Sequence, residues 1–401
     1  MWLKAANGDA VVSKHACNNS PNRSARFSPL RQRKRRPLSL RTEVGEITLR
    51  VDYGQEAQSG RWYCPVQEQW GLRPHQKLTP SLVEKLCFTA TATGSYQKAA
   101  EVAAKWGQAV EDSTVRAHVQ VAGARAQAHR QQRGDNPPLV GPAPQALVIM
   151  MDGWLIRQRG PDWGRKPARR PGQRVLWQEC KSAVIYRLEQ AARTHSGRGL
   201  LVEKFVVAYP GEPVEFGRQV QAEARRRGLG AAQRVYVVAD GSVWIWNVAA
   251  DRFAGAREVL DFYHASQHLW AVAHALHGEG TDAARAWVQP LLHQLRHGHE
   301  QRVLKRLSDL PGWCAQRGQV VPEAVWQGRD YFEHHRQRLQ YRKRASEGCP
   351  VGSGAMESFC AQLQGRFKRC GQFWRPPGRD HLLALELAHR NGDWDDLWML
   401  N

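Results

Sequence analysis

Between residues 38 and 53 the string LSLRTEVGEITLRVDY alternates apolar and polar positions on either side of Gly45, a pattern that predicts a β-hairpin. After the loop GRWYCPVQEQWGLRP the hydrophobic period lengthens to that of a helix. Leu82, Leu86 and Thr89 fall on one face, then Ala99, Val102, Ala103 and Trp106, then Val115, Val119 and Ala122, so three helices are expected between 80 and 132. Gly94-Ser95 separates the first two, with Ser95 as an N-cap, and Asp112 or Ser113 is placed to cap the third. Two helices joined by a Gly-containing turn make a helix-turn-helix candidate, with Ser113, Thr114, Arg116 and Gln120 on the exposed face of its last helix; a small structural bundle is the other reading.

The Pro- and Gly-rich stretch 134–145, GDNPPLVGPAPQ, reads as a linker, after which the period changes again. ALVIMMDGW (146–154), RVLWQECKSAVIYRL (174–188, interrupted at Lys181), KFVVAYP (204–210) and RVYVVADG (234–241) are strand-like, with a helix predicted from Pro213 to Arg227. Three strands, a helix and a further strand predict an α/β fold whose sheet has antiparallel and parallel parts. From 265 to 348 the pattern is mostly helical, and CPVGSGAMESFCAQLQGRFKRC then reads as a Gly-rich loop entering a helix.

Charge narrows the partners. In 401 residues Lys and Arg number 58 against 37 Asp and Glu, a surplus of +21 that favours a polyanion, foremost nucleic acid. Residues 1–37 hold nine Lys or Arg and one acid without any hydrophobic period, and read either as a phosphate-grasping arm or as a disordered leader or a misplaced start. No apolar run approaches a membrane span, and the start has no apolar export segment, so a cytoplasmic protein is expected. Eight cysteines without a CxxC pair signal neither a zinc ribbon nor a disulfide framework and are expected as free thiols.

Two acids each close an apolar strand and precede a glycine, Asp152 and Asp240, where carboxylates emerge from the end of a sheet. Such a site takes a hard cation, and Glu357, in the first turn of the helix opened by VGSGAMES, is the natural third ligand. Oxygen ligands from separated segments suit Mg²⁺ or Mn²⁺; an Asp-Gly pair is equally ordinary turn chemistry. Gln364 and Lys368 lie seven and eleven residues beyond Glu357, within about 20° of its face at 100° per residue, so a phosphate at the metal could also meet a cation; a solvated basic face is the alternative.

MMDGW, VVADGSVWIWN, VLDFYHASQHL and VGSGAMESFCAQLQGRFKRCGQFW, in this order, resemble the DDE transposases of bacterial insertion sequences, most closely the Kra-type group. The resemblance covers about residues 38 to 401 and is most specific in LDFYHA (260–265) with GSG-x-x-ES (352–358). It implies the catalytic and metal-binding triad Asp152, Asp240 and Glu357, and an accessory pair, Asp261 and His264, whose imidazole would orient a metal-bound water or steady the DNA backbone, or simply pair with Asp261. It also implies an RNase H-like core (146–264) interrupted by a helical insertion (265–348) and completed by C-terminal helices (349–401). Composition and periodicity place before it a basic disordered tail (1–37), a DNA-binding region of hairpin plus helix-turn-helix (38–133) and a linker (134–145). The activity implied is metal-dependent cleavage and strand transfer at double-stranded element ends, by a homo-oligomer that holds two ends together. An inactive DNA-binding relative that acts as a regulator is the alternative. Related transposases often carry a paired-cysteine knuckle near the N-terminus, whereas RWYCPVQEQW offers only Cys64.

Overall fold

The computed structural model describes residues 30–72, 76–164, 174–196 and 199–399. The chain divides into two compact units, Met1–Val83 and Glu84–Asn401.

In the first unit β1 (Leu30–Thr42) and β2 (Gly45–Glu56) form an antiparallel hairpin, extended by the two-residue β3 (Trp62–Tyr63) and followed by α1 (Pro65–Gln69). Leu40 and Val51 are buried between the ribbon and its surroundings. The hairpin starts eight residues earlier than the alternation at 38 suggested, so residues 30–37 are strand rather than disordered tail; residues 1–29 lie outside the described residues. The reason is local. A bulge between Arg31 and Lys34 breaks the period of two, and the strand's exposed faces carry cations instead of apolar residues.

α2 (Pro80–Ala92) leads into the second unit, where α3 (Tyr96–Lys105) and α4 (Asp112–Gln132) follow. Ser95 caps α3, its side chain accepting from the Lys98 N–H at 3.0 Å; the residue before α4 is Glu111, which makes no side-chain cap. α4 buries Val115, Val119, Ala122, Gly123 and Ala126 and packs along α13 near the chain's end. The irregular stretch 134–145 is pinned as well: Val140 N–H donates to Arg226 O at 2.8 Å, and Arg225 donates to Asp135 O and Asn136 Oδ1 at 2.9 and 2.8 Å. The stretch 134–145 is thus tied to residues 225 and 226, and the division into two units falls between Val83 and Glu84.

The second unit is a mixed α/β structure around a five-stranded sheet, ordered β10-β9-β4-β5-β8. Its strands are β4 (Ala146–Arg159), β5 (Val175–Arg187), β8 (Phe205–Tyr209), β9 (Arg234–Ala239) and β10 (Arg257–Leu260); β6 (Ala191–Arg193) and β7 (Gly199–Leu201) make a separate pair. β4, β5 and β8 run as an antiparallel meander, while β9 lies parallel to β4 and β10 parallel to β9. Ala146 to Met151 are buried on both faces of central β4, which is why that run is continuously apolar. β5 does not break at Lys181: the residue is buried and its ammonium reaches Glu179 at 2.7 Å. α5 (Pro213–Arg226) and α6 (Val243–Arg252) make the crossovers. α7 (Phe262–His277), α8 (Asp282–Arg296), α9 (Glu300–Ala315), α10 (Glu323–His334) and α11 (Tyr341–Ser346) then precede α12 (Gly354–Phe367), α13 (Pro376–Arg390) and α14 (Trp394–Met399). α12 packs on β4 and β5, and α13 on β8. No helix among the described residues is long and apolar enough to cross a membrane.

Candidate functional site

Strand register places the acids. Met151 of β4 pairs with Ala239 of β9, which pairs with Leu260 of β10; the next residues along these three adjacent parallel strands are Asp152, Asp240 and Asp261. Ligands of open α/β sheets bind at this carboxyl end. β9 and β10 stop just before Asp240 and Asp261, whereas β4 does not end at Asp152 but runs on to Arg159 paired with β5, so the strand expected to close there continues. Asp152 Oδ1 accepts from the Gly153 N–H at 2.6 Å, and its Oδ2 faces the Cys360 thiol of α12 at 3.7 Å. Asp240 accepts from the Ser242 N–H at 2.8 Å and from the Ser242 hydroxyl at 3.0 Å.

Asp261 is fully buried and structurally committed. As N-cap of α7 its Oδ1 accepts from the N–H groups of Tyr263 and His264 at 2.6 and 2.9 Å, while Oδ2 accepts from the Ser353 N–H. One carboxylate thus ties the end of β10 to the loop that delivers Glu357 in the first turn of α12. Its ligand atoms, with those of His264 and Glu357, all lie within 4.8 Å of one another, the one such group found among the described residues.

The electrostatics join the two halves. Burial pushes the Asp152 carboxyl above its ordinary value and the negative charge of Asp240 adds to this, against the Gly153 N–H and the charge of His264. Burial would also raise Asp261, but hydrogen bonds from His264 and Ser353 outweigh it and hold the carboxyl at about 2. His264 Nδ1 sits 3.4 Å from Asp261 Oδ1. That contact raises the imidazole above its ordinary value, burial opposes it, and the charges of Asp261, Asp240 and Asp152 reinforce it. Asp261 and Glu357 thus bring ligand atoms within 4.8 Å of the His264 imidazole, while Asp152 and Asp240 act on it through their charge and do not belong to that close group. Oxygen donors that repel one another are the donor set a hard divalent cation relieves, so the residues present fit such an ion.

Several neighbours carry no sequence signal. Tyr331 of α10 lies against Gly241, where an added Cβ would sit 2.3 Å from its ring, and His268 of α7 stacks on it at 3.6 Å. Burial pushes Tyr331 up, helped by Asp240 and Asp261; burial lowers His335, beside them, to about 4, with the charge of Arg338 adding. These positions follow ordinary helical spacing, and only the fold brings them to the acids.

The residues expected to contact DNA fare differently. Ser113 and Arg116 are exposed on α4 and Thr114 is half-buried. Gln120 is taken up by α13: its Nε2 donates to Gly378 O at 3.3 Å and its Oε1 meets His381 Nδ1 at 3.0 Å. Gln364 is half-buried on α12. Lys368 has already left that helix, with φ −121° and ψ 26°, so the angular argument placing it above Glu357 does not apply; its ammonium lies 5.5 Å from the Trp177 ring. Arg366 is buried and donates to Gly94 O at 3.2 Å, a structural cation rather than a free one.

Residues 20–139 match the Uncharacterised protein family (UPF0236). No curated protein matches the chain. A chain of the Drosophila P element transposase strand transfer complex is similar at 11% identity over 83% of this chain and 82% of its own length, with a TM-score of 0.29, too loose a superposition to define a shared fold.

Proposed function

We propose that the acidic cluster is a divalent-metal centre for phosphoryl transfer on DNA, and that the protein is a DDE transposase cleaving and joining the ends of its element. The observation that carries this reading is the alignment of Asp152, Asp240 and Asp261 in one register on three adjacent parallel strands, with α12 bringing Glu357 to Asp261 and His264. Strand order supports it: a three-strand antiparallel meander followed by two parallel crossovers is the arrangement expected of an RNase H-like core.

Asp152, Asp240 and Glu357 would hold Mg²⁺ or Mn²⁺, which supplies activation of the attacking hydroxyl and neutralises charge on the phosphate. Around that ion the chain's own groups position. The Gly153 and Ser242 N–H groups fix the Asp152 and Asp240 carboxylates, so that ligands enter the site already oriented. Asp261 holds His264 toward its charged form, a donor suited to a non-bridging phosphate oxygen, and through Ser353 anchors the approach to Glu357. Phosphoryl transfer asks for positioning and charge more than for a covalent intermediate, and this constellation provides both.

The test is incubation of the purified protein with labelled DNA carrying the element's inverted repeats, in Mg²⁺ or EDTA. Metal-dependent nicking at the repeat boundary supports the reading; addition of a free 3′-hydroxyl donor separates strand transfer from simple nuclease action.

A further inference from the structure

The hairpin of the first unit sorts its charges by face. Ile47, Leu49, Val51, Tyr53 and Gln55 of β2 alternate onto one face, and their partners on β1 are Leu40, Leu38, Arg36, Lys34 and Arg31. Arg31 reaches this face only because of the bulge, where Gln32 adopts φ 50°, a left-handed conformation rare outside glycine. On the opposite face the charge is partly offset, since Arg33 and Arg35 share the single carboxylate of Asp52. On the first face Arg31, Lys34 and Arg36 are exposed and have no ion-pair partner among the described residues. Lys34 and Arg36 stand one two-residue repeat apart, roughly 6.7 Å, comparable with the step between phosphates along one strand.

The same face carries an aromatic surface. Trp62 of β3 pairs with Gln55, so it emerges beside the cations, 40% exposed. Its ring stacks on Tyr53 at 5.6 Å and 22°, and the Arg36 guanidinium lies 4.3 Å from the Tyr53 centroid, which fixes both aromatics in place. Cations alone would suit any polyanion. An exposed indole held rigidly beside them adds what unpaired bases seek and a fully stacked duplex does not, a surface to stack on.

We infer that this face of the ribbon binds single-stranded nucleic acid, with phosphates on Arg31, Lys34 and Arg36 and a base on Trp62. The site is separate from the acidic cluster and does not depend on that cluster being catalytic.

Fluorescence anisotropy of the full-length protein with a labelled 20-nucleotide oligothymidine and with a matched duplex, over a series of salt concentrations, tests it; an oligouridine arm tells DNA from RNA. Replacing Arg31, Lys34 and Arg36 together by Ala should reduce the slope of log K against log salt by about 2, three contacts at ~0.7 each. Trp62→Ala should weaken oligothymidine binding on the order of tenfold with the salt slope unchanged, and affect the duplex far less; Trp62→Phe, which keeps a ring, should recover most of the loss. An unchanged slope in the triple variant, or a Trp62→Ala loss equal for single strand and duplex, overturns the inference. The readout is binding, so a protein that cleaves nothing can still satisfy it, and failure here leaves the catalytic reading standing.

Discussion

Gly123 stands at the closest approach of α4 to α13, and Gly123→Ala reports whether that contact is integral to the second unit. A Cβ there would lie 2.1 Å from the His381 carbonyl oxygen and 2.5 Å from its carbon, backbone atoms that cannot swing aside. The helices must part, at the ~1–3 kcal/mol typical of overpacking. Parting also breaks the Gln120 hydrogen bonds to Gly378 O and His381, about 1 kcal/mol each. Against this, Ala is favoured over Gly in a helix interior by about 1 kcal/mol. The net expectation is a loss of about 2–4 kcal/mol, read in urea denaturation followed by far-UV circular dichroism; with a slope of about 3 kcal/mol/M the midpoint falls on the order of 1 M. Gly312→Ala on α9, where nothing lies within 4 Å of the added carbon, is the control and should be neutral or stabilising by up to about 1 kcal/mol. Were Gly123→Ala to match the control, α4 would not be held on α13, and a detachable helix-turn-helix would again be the better description.

Asp261→Asn should lower stability by about 1–3 kcal/mol, because an amide that keeps the α7 cap turns its N–H₂ toward the Ser353 N–H; the urea midpoint measures this, and the His264 titration followed by NMR should move down toward the ordinary imidazole value. Burial would raise the Asp393 carboxyl, but Arg133 at 2.7 Å and Arg226 at 3.0 Å outweigh it and hold it below the usual range. Its contribution is therefore present at neutral pH, above the unfolded value, and is lost as pH falls through the lower folded value; urea midpoints between pH 7 and 3 should drop more steeply in the natural protein than in Asp393→Asn.

The core strands were legible because the buried stretches 146–151 of β4 and 236–239 of β9 spell continuous apolar runs, each followed by an acid; that β4 runs on past Asp152 to Arg159, with Trp154 and Ile156 still buried, was not legible. Asp261 was legible only through the LDFYHA resemblance, and its register with Asp152 and Asp240 exists only once β10 pairs with β9. The ribbon before Leu38 was hidden by the bulge, which destroys the period-two signal and fills exposed positions with cations that read as a tail. Gln120 looked free because its partner helix lies some 260 residues away in sequence, and nothing near it announces α13. Lys368 was misplaced by one residue of helix, since α12 ends at Phe367. Local pattern thus located elements and strand-terminal acids, while partnerships made over long sequence distances decided which side chains remained available.

The most direct test of the central claim is end cleavage by Asp240→Asn beside the natural protein. The substitution keeps an oxygen to accept from the Ser242 N–H while removing the negative charge that joins Asp240 to Asp152. Metal-dependent nicking at the repeat boundary by the natural protein, abolished in Asp240→Asn while DNA affinity stays within about twofold, is the result expected of dispersed phosphate contacts and a local metal centre. Cleavage by Asp240→Asn at the natural rate would contradict the assignment of these acids as the site of chemistry.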